Sequence, residues 1–382
     1  MAPVIVEALE LVHLELPFRR PFVHASRTRE RGDTILVRLT TSDGLVGHGG
    51  ILPRRYVTGE TIGSILGENG RPGEAARLAE HVVGRSFPDA SALVGWIDAR
   101  YPRFGSGTAL FGGVELALWN ALCRTVDVDF APVLGPPRRR PAGRCVTLGL
   151  EVPTAGLRRA AIDVRLKGAT VVKLKLGLPD DVERLRSLDR WLGGRTPLRV
   201  DANGRYDVER AEALLSACAG ATALQSFEEP FGGADEGADG GAAEARRELH
   251  ARHGIDFVAD ESLCSLDDAR ALVERGAFQG FNLRVGKLGG LVPTCRVRDF
   301  AARHRIALVA GSMVGESGVL TQASELLLSR SAELDYVEGL GQNARLLEID
   351  PVTRLDGPGP MRGFAFDREA CAHLVRRSVT FD

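Results

Sequence analysis

Two lysines and three acids recur at regular spacing in the second half of the chain. Lys173 and Lys175 lie in VVKLKLG, Asp201 in LRVDANG, Glu228 in LQSFEEP and Asp260 in DFVADES. The successive steps from Lys175 to Asp260 are 26, 27 and 32 residues, each close to one βα unit in length. Side chains repeated at this interval converge at one end of a parallel barrel. Three carboxylates at such short distances from one another repel each other unless a hard divalent cation lies among them.

The chemistry that fits these residues is removal of a proton beside a carboxylate. Such a proton is weakly acidic because its loss creates a dianionic enolate, and a bound cation stabilises that charge. Ligation by three carboxylates favours Mg²⁺, with Mn²⁺ as an alternative, over zinc. We therefore predict that Asp201, Glu228 and Asp260 are metal ligands. Lys175 is the predicted base, and Lys173, a like charge two residues away, is its predicted electrostatic modulator.

Short apolar strands alternate with helical patterns from about residue 144 onward, which is typical of βαβ units and a parallel sheet. Eight strands are predicted, beginning near Val146, Val171, Leu198, Ala223, Phe257, Phe281, Ala307 and Leu334. Seven helical segments separate them. The count therefore predicts a barrel that is one helix short of eight βα pairs.

The second predicted strand shows where the lysines point. Val172, Leu174 and Leu176 share one face of this strand, and Lys173 and Lys175 share the other. If the apolar face packs against helices, both lysines point into the barrel. The three predicted ligands lie at the carboxyl ends of the next strands, where barrel enzymes assemble their sites.

The rest of the chain predicts a second domain. Residues 1–65 have the alternation and turns of β structure, and residues 73–123 have a helical pattern, which together make an α+β domain. The stretch after residue 341 is too long for a tail and is predicted to return to this domain. The predicted units are a capping domain, the barrel and a C-terminal segment that completes the cap, over residues 1–130, 131–340 and 341–382.

The composition and charge of the chain limit the kinds of partner that we expect. The chain has 382 residues, with 49 basic and 50 acidic side chains, so it has no strong field of either sign. We expect a small carboxylate as substrate, neither nucleic acid nor a membrane as partner, and a homo-oligomer. Glu7, Glu10 and Glu15 interrupt the region where a secretory signal needs an apolar core, and the six cysteines form no C-x-x-C pair. We therefore expect a cytoplasmic protein with reduced thiols.

Four short motifs follow one another in an order that resembles the muconate lactonizing subgroup of the enolase superfamily. They are K-x-K, D-x-N, E-E-P and D-E-S, at Lys173–Lys175, Asp201–Asn203, Glu228–Pro230 and Asp260–Ser262. The resemblance extends to the N-terminal part of the chain, where PRRYVTGET (Pro53–Thr61) is similar to the subgroup's lid loop. It therefore covers most of the chain. It implies an α/β fold, namely a modified TIM barrel, (β/α)7β, under an α+β capping domain. Five further residues are expected to support the site or contact substrate: Tyr56, Asn203, Glu261, Asn282 and Glu316.

One position departs from the subgroup and bears on the reaction. Members usually carry a second lysine on the sixth strand, in N-[IL]-K followed by K-x-G-G, whereas this chain reads FNLRVGKLGG with Arg284 at that place. Asn282 and Arg284 share the predicted inward face, and Lys287 has outward parity unless a bulge intervenes. Arginine stays protonated, so it can bind a carboxylate or stabilise an enolate but is a poor acid or base. We therefore predict Arg284 to be a catalytic residue that is not a second base.

The sequence favours a magnesium-dependent lyase or isomerase that uses one base. The candidate reactions are syn elimination of water, as in o-succinylbenzoate synthases, and cycloisomerisation, as in muconate enzymes. Two alternatives stay open: a racemase or epimerase of an amino acid derivative or dipeptide, and a catalytically degenerate binding protein. Arg284 has an alternative role too, as a salt-bridge partner of the acids. Glu316, in AGSMVGESG, lies one residue further from the seventh strand than the acid of the subgroup.

Overall fold

An antiparallel sheet and several helices form the N-terminal part of the protein. The structure is a computed structural model that describes residues 3–23, 28–101, 107–137, 143–220, 223–232, 241–331, 334–339, 343–354, 361 and 364–382. The strands are β1 (Val4–Val23), β2 (Thr28–Thr41), β3 (Val46–Ile51) and β4 (Ser86–Phe87). The helices are α1 (Ile62–Leu66), α2 (Glu74–Ala79), α3 (Ala90–Arg100), α4 (Thr108–Thr125) and α5 (Ala131–Leu134). Within the sheet, β1 pairs with β2, β2 with β3, and β4 with β1.

The longest of these helices, α4, is buried on nearly every side. Such a helix must lie between two packed layers, because it has no polar face for solvent. Gly113 faces β3, where an added Cβ would lie 2.2 Å from Cγ1 of Ile51. Only glycine allows the helix to approach the sheet this closely. Helix α4 therefore joins the capping sheet to the barrel beneath it.

Eight parallel strands close into the barrel in the described residues. They are β5 (Gly143–Leu148), β6 (Val171–Lys175), β7 (Leu198–Asp201), β8 (Leu224–Glu228), β9 (Asp256–Ala259), β10 (Gly280–Leu283), β11 (Ala307–Ala310) and β12 (Leu334–Glu338). Each strand begins within three residues of its predicted start. The order around the barrel follows the chain, and β12 closes it by pairing with β5.

Seven helices of ten residues or more alternate with these strands in the part of the chain that the structure describes. They are α6 (Leu157–Leu166), α7 (Asp181–Leu192), α8 (Val208–Cys218), α9 (Gly241–His253), α10 (Leu266–Arg275), α12 (Leu291–Arg303) and α13 (Gly318–Arg330), with the short α11 (Val285–Leu288) before α12. Their apolar faces pack on the outward side chains of the strands, among them Val172, Leu174 and Val200. The predicted (β/α)7β barrel under an α+β cap is confirmed.

The C-terminal residues return to the capping sheet. After α14 (Asn343–Leu346), β13 (Val352–Arg354) pairs with β14 (Phe364–Phe366). The last strand, β15 (Val375–Phe381), then pairs antiparallel with β1, with Leu9 opposite Phe381. The domain boundaries predicted at residues 130 and 340 stay predictions. None of the helices in the described ranges is long and apolar enough to cross a membrane.

A buried acid on α4 fixes the cap to the barrel. Glu115 is fully buried and accepts N–H bonds from Leu291 and Val292 at the start of α12, each at 3.0 Å. The Nε1–H of Trp119 donates to the same carboxylate at 2.9 Å. A carboxylate at this place satisfies N–H groups that a helix leaves unpaired at its N-terminus. The capping helix is thus held over the sixth and seventh strands.

Replacing Glu115 with alanine is expected to lower the free energy of unfolding by about 3 kcal/mol, because three buried N–H donors lose their acceptor. Chemical denaturation of the wild type and the variant measures this difference. Glu115→Gln is the control, since its amide oxygen keeps one acceptor and the loss should be smaller. A change below about 0.5 kcal/mol in the alanine variant would show that Glu115 does not join the two parts.

Candidate active site

Lys175, Asp201 and Glu228 lie side by side at the mouth of the barrel. The register pairs Lys175 of β6 with Asp201 of β7, and Asp201 with Glu228 of β8. Asp260 follows the last residue of β9 directly. Parallel pairing therefore brings all four charged residues to the carboxyl ends of four consecutive strands, as the spacing of the sequence indicated.

Cationic side chains link the three acids, all of which are fully buried. The Nζ of Lys173 lies 3.3 Å from Oδ2 of Asp201 and 3.1 Å from Oε1 of Glu228. On the other side, Nη2 of Arg284 donates to Oδ2 of Asp260 and lies 3.8 Å from Oε1 of Glu228. Lys173 and Arg284 thus connect Asp201, Glu228 and Asp260 into one continuous group of charges.

These contacts lower the pKa of two of the acids, Asp260 and Glu228. Burial by itself raises the pKa of Asp260, but Arg284 and Lys287 hold this pKa well below its usual range. Burial likewise opposes ionisation of Glu228, but Lys173, Arg199 and Arg284 together outweigh it, so that the pKa of Glu228 is lowered. The pKa of Lys173 is in turn raised well above its ordinary value, because Glu228 and nearby carboxylates outweigh its burial. Glu228 and Asp260 are therefore anionic at neutral pH.

The donor set fits a hard divalent cation in its chemistry. Carboxylate oxygens are the ligands that Mg²⁺ and Mn²⁺ prefer. Oε2 of Glu261, beside Asp260, is buried and has no hydrogen-bond donor. Burial, followed by the charges of Asp260 and Asp201, raises the pKa of Glu261 to about 8, which marks a shortage of positive charge. Within the described ranges, no group of three His, Cys, Asp or Glu side chains is arranged closely enough to hold a metal ion.

Lys175 is more exposed to the cavity than Lys173. Its side chain is 19% accessible, compared with 2% for Lys173. The Nζ of Lys175 lies 2.6 Å from Oδ2 of Asp201 and 2.8 Å from Oδ1 of Asn203. The amide of Asn203 donates in turn to Oε1 of Glu261 at 3.0 Å, and its backbone has a positive φ of 47°. Asn203 and Glu261 therefore fix the direction of the Lys175 amine.

Arg284 faces Lys175 across the barrel. In the closed order of strands, β10 and β6 are four places apart in a ring of eight, so they form opposite walls. Both side chains line the cavity at the barrel mouth, and that of Arg284 is 11% accessible. Asp260 and neighbouring acids raise the pKa of Arg284 further above its ordinary value despite its burial. Arg284 thus carries a permanent positive charge on the wall opposite Lys175.

Three charged residues of the site are not among the predicted site residues. Arg199 is buried and donates to Glu228 at 3.0 Å, and Glu338 accepts from Lys173 at 2.6 Å. Lys287 is fully buried and lies 2.9 Å from Oδ1 of Asp260. Strand parity does predict Arg199, which shares the face of Asp201, and Glu338 ends the eighth strand. The outward parity assigned to Lys287 is wrong, because β10 ends at Leu283 and alternation stops where α11 begins.

The remaining predicted residues differ in their relation to the cavity. Asn282 is buried below it and donates to Glu228 at 3.1 Å and to Glu338 at 3.2 Å. Tyr56 lines the cavity and is 44% exposed. Glu316 is buried outside the lining, where it accepts from the N–H of Met313 at 2.6 Å and burial raises its pKa to about 7. Asn282 thus supports the acids from beneath, and Tyr56 lies on the substrate side.

The cavity itself combines a charged floor with a partly apolar wall. Its apolar lining comes from the cap and from the loops after β5 and β11: Phe22, Val57, Leu150, Met313, Val314 and Leu346. Such a pocket fits a small carboxylate whose charged end lies on the floor. A capped parallel barrel with a lysine and carboxylates at its strand ends has the arrangement of a barrel enzyme's active site.

Comparison with known families places the chain more narrowly. Residues 8–135 match the N-terminal domain of the mandelate racemase and muconate lactonizing enzyme family, and residues 156–358 match the enolase C-terminal domain-like family. The chain therefore belongs to the muconate lactonizing subgroup of the enolase superfamily, and it is an enzyme of that superfamily.

Individual relatives carry out different reactions. The chain is 26% identical to an o-succinylbenzoate synthase of Bacillus subtilis (strain 168), over 91% of this chain and 88% of the relative. It is 30% identical to an L-Lys-D/L-Arg epimerase of Methylococcus capsulatus, over 78% and 79% of the two chains. The fold is similar to a dipeptide epimerase from Cytophaga hutchinsonii solved with Mg and D-Ala-L-Val, with a TM-score of 0.80 and 21% identity over 99% of this chain and 100% of that one. These relatives thus share one family and one fold but differ in the named reaction.

Proposed function

We propose that this enzyme removes the proton alpha to a carboxylate with Lys175 as its single base, and then completes a syn elimination of water or a cycloisomerisation. One observation carries the proposal: Lys175 on β6 and Arg284 on β10 line the same cavity from opposite sides of the barrel. An arginine cannot exchange protons at neutral pH. Proton transfer is therefore confined to the face of the substrate that meets Lys175.

The proposed metal centre uses the three buried acids. Asp201, Glu228 and Asp260 would hold Mg²⁺, with Mn²⁺ as the alternative, and the ion would supply positive charge that stabilises an enolate. Support comes from the donor chemistry and from the buried Oε2 of Glu261 that lacks a partner. Further support comes from the structurally similar dipeptide epimerase of Cytophaga hutchinsonii, which was solved with Mg. Lys173 would hold Asp201 and Glu228 in place, in addition to its predicted electrostatic role.

The proposed steps follow from the positions of the side chains. In its neutral form the amine of Lys175, directed by Asp201 and Asn203, takes the α-proton and becomes an ammonium. The electron pair of the broken C–H bond passes into the enolate, whose charge the Arg284 guanidinium would help to stabilise. In an elimination, the β-hydroxyl leaves on the same face and takes the proton back from Lys175, so water departs and the base is restored. One lysine thus serves both halves of the reaction.

A second candidate function is epimerisation of a dipeptide or an amino acid derivative. It is favoured by the 30% identity to the L-Lys-D/L-Arg epimerase. It requires a second group that delivers a proton to the face turned towards β10, where this chain has Arg284. The degenerate binding protein that the sequence left open is not proposed, because the chain belongs to a superfamily of enzymes and has Lys175 together with all three acids. The homo-oligomer expected from the sequence stays a prediction.

Changing Arg284 to lysine is expected to create the second base and with it an inverting activity. The lysine amine would return a proton to the face opposite Lys175, so inverted product should appear at a rate at least about tenfold above the wild-type rate. The measurement is chiral chromatography of N-acyl amino acids and dipeptides incubated with Mg²⁺ and each protein.

The matched control is Arg284→Met, which removes the charge without adding a titratable group. It should give no inversion and slower proton removal. Equal inversion by the wild type and the Lys variant would contradict the assignment of Arg284 as a group that does not transfer protons.

A further inference from the structure

We propose that Glu151 is a specificity-determining residue that selects carboxylate substrates carrying a cationic nitrogen group, such as an ammonium. The inference rests on the proposed function, because it assigns the second end of the substrate whose carboxylate meets the metal ligands and Arg284. Glu151 lies in the loop that follows the first barrel strand, β5, and it lines the cavity.

The charges of the cavity single out this residue. The charged lining residues are Arg54, Glu151, Lys173, Lys175, Glu261, Arg284 and Glu338. Glu338 accepts from Lys173 at 2.6 Å, and Glu261 accepts from Asn203 at 3.0 Å. Among the lining acids that the structure describes, Glu151 alone has no hydrogen bond or ion pair. Its carboxylate is therefore available to a ligand, and a cation is the ligand it would attract.

The Glu151 side chain folds back over its own loop. An added Cβ at Gly149 would lie only 2.0 Å from Oε2 of Glu151, and Gly149 also lines the cavity. The carboxylate thus occupies the space that a side chain at position 149 would take. Glycine at this position lets the acid lie against the cavity wall.

A buried arginine holds this loop against the catalytic strand. Arg184 is fully buried and donates to the carbonyl oxygens of Gly149 and Val152, each at 3.3 Å. The same guanidinium donates to the carbonyl of Lys175 at 2.9 Å. One rigid group therefore connects the loop that carries Glu151 with the residue that carries the base. A loop held in this way binds a charged group without the cost of ordering itself.

The order of the strands indicates the direction in which a substrate would lie in the cavity. β5 pairs with β6 next to Lys175, with Leu148 opposite Leu174, and Glu151 follows three residues after Leu148. Arg284 lies on the opposite wall. A substrate with its carboxylate towards Arg284 and the acids would extend past Lys175 and present its other end to Glu151. The other end is thus the one that carries the positive charge.

Binding of two matched compounds tests the inference. N-acetyl-L-lysine and N-acetyl-L-norleucine differ in the terminal ammonium alone, and titration calorimetry with the Mg²⁺-supplemented protein gives both affinities. We expect the wild type to bind the lysine compound at least about fivefold more tightly. Glu151→Gln should remove this preference by weakening the lysine compound and leaving the norleucine compound unchanged.

A second variant separates the position of the charge from its presence. Gly149→Ala keeps Glu151 but displaces its carboxylate, because the added Cβ claims the space of Oε2. It should reduce the preference as Glu151→Gln does. The control is Glu209→Gln on the first turn of α8, which neutralises an exposed acid outside the cavity lining and should leave the preference intact.

The outcomes distinguish this inference from the proposed function. Equal or weaker binding of the lysine compound by the wild type, or a preference that persists in Glu151→Gln, would overturn the role of Glu151. Either result leaves the single-base proposal untouched, since that proposal depends on proton exchange at the α-carbon. Exchange that continues without Lys175 would overturn the single-base proposal and leave the binding preference standing.

Discussion

Replacing Lys175 with arginine is expected to reduce removal of the substrate α-proton by about 10³-fold or more. Arginine preserves the positive charge beside Asp201, which accepts from Lys175 at 2.6 Å, but it cannot act as a base. The variant should therefore keep the fold and the affinity for Mg²⁺ while it loses the chemical step. Uptake of deuterium at the α-carbon, followed by proton NMR in D₂O, measures the rate of this step.

Lys175→Met is the matched companion because it removes the charge as well as the base. It should be as inactive as the arginine variant, and it should also weaken carboxylate binding because a cation has left the cavity floor. Metal affinity measured by calorimetry shows whether the acids are still arranged correctly in both variants. Exchange at the wild-type rate in Lys175→Arg would mean that another group is the base.

Replacing Glu228 with glutamine is expected to have two large effects. The affinity for Mg²⁺ should fall by at least about 100-fold, because one of three carboxylate ligands is lost. The free energy of unfolding should fall by about 3 kcal/mol, because Lys173 and Arg199 lose a buried ionic partner. Calorimetry with Mg²⁺ and chemical denaturation measure the two effects separately.

Glu338 offers a matched control for the loss of metal binding. It is buried like Glu228 and contacts the same two cations, Lys173 and Arg199, but it is not a predicted ligand. Glu338→Gln should therefore lower stability while it reduces the affinity for Mg²⁺ less than Glu228→Gln does. If both variants lose Mg²⁺ affinity equally, the proposed ligand set is incomplete.

The barrel was predictable because its strands have a strong local signal. Short apolar runs between helical patterns mark each strand, and parity within a strand directs side chains inward, as for Lys173 and Lys175. The spacing of Asp201, Glu228 and Asp260 then reflects the length of a βα unit. These features depend on neighbouring residues in the chain, so they can be read before the fold is known.

Features that depend on contacts between distant segments were not predictable in the same way. Parity fails for Lys287, since the strand ends before it and a short helix turns its side chain beneath Asp260. The 3.0 Å bonds from Glu115 to α12 join residues 176 and 177 positions apart. The fold of Glu151 over Gly149 likewise depends on Arg184, which holds the loop from another element. No local pattern carries information of this kind.

The most direct test of the account follows the α-carbon of a bound carboxylate in the wild-type enzyme. N-acyl L-amino acids and L,L-dipeptides are incubated with the Mg²⁺-supplemented protein in D₂O, and deuterium uptake and configuration are measured on the same sample. Because Lys175 is the single proposed base and faces Arg284, we expect uptake of deuterium with retention of configuration. Inversion at a rate equal to the uptake would contradict it, because inversion requires proton transfer on both faces.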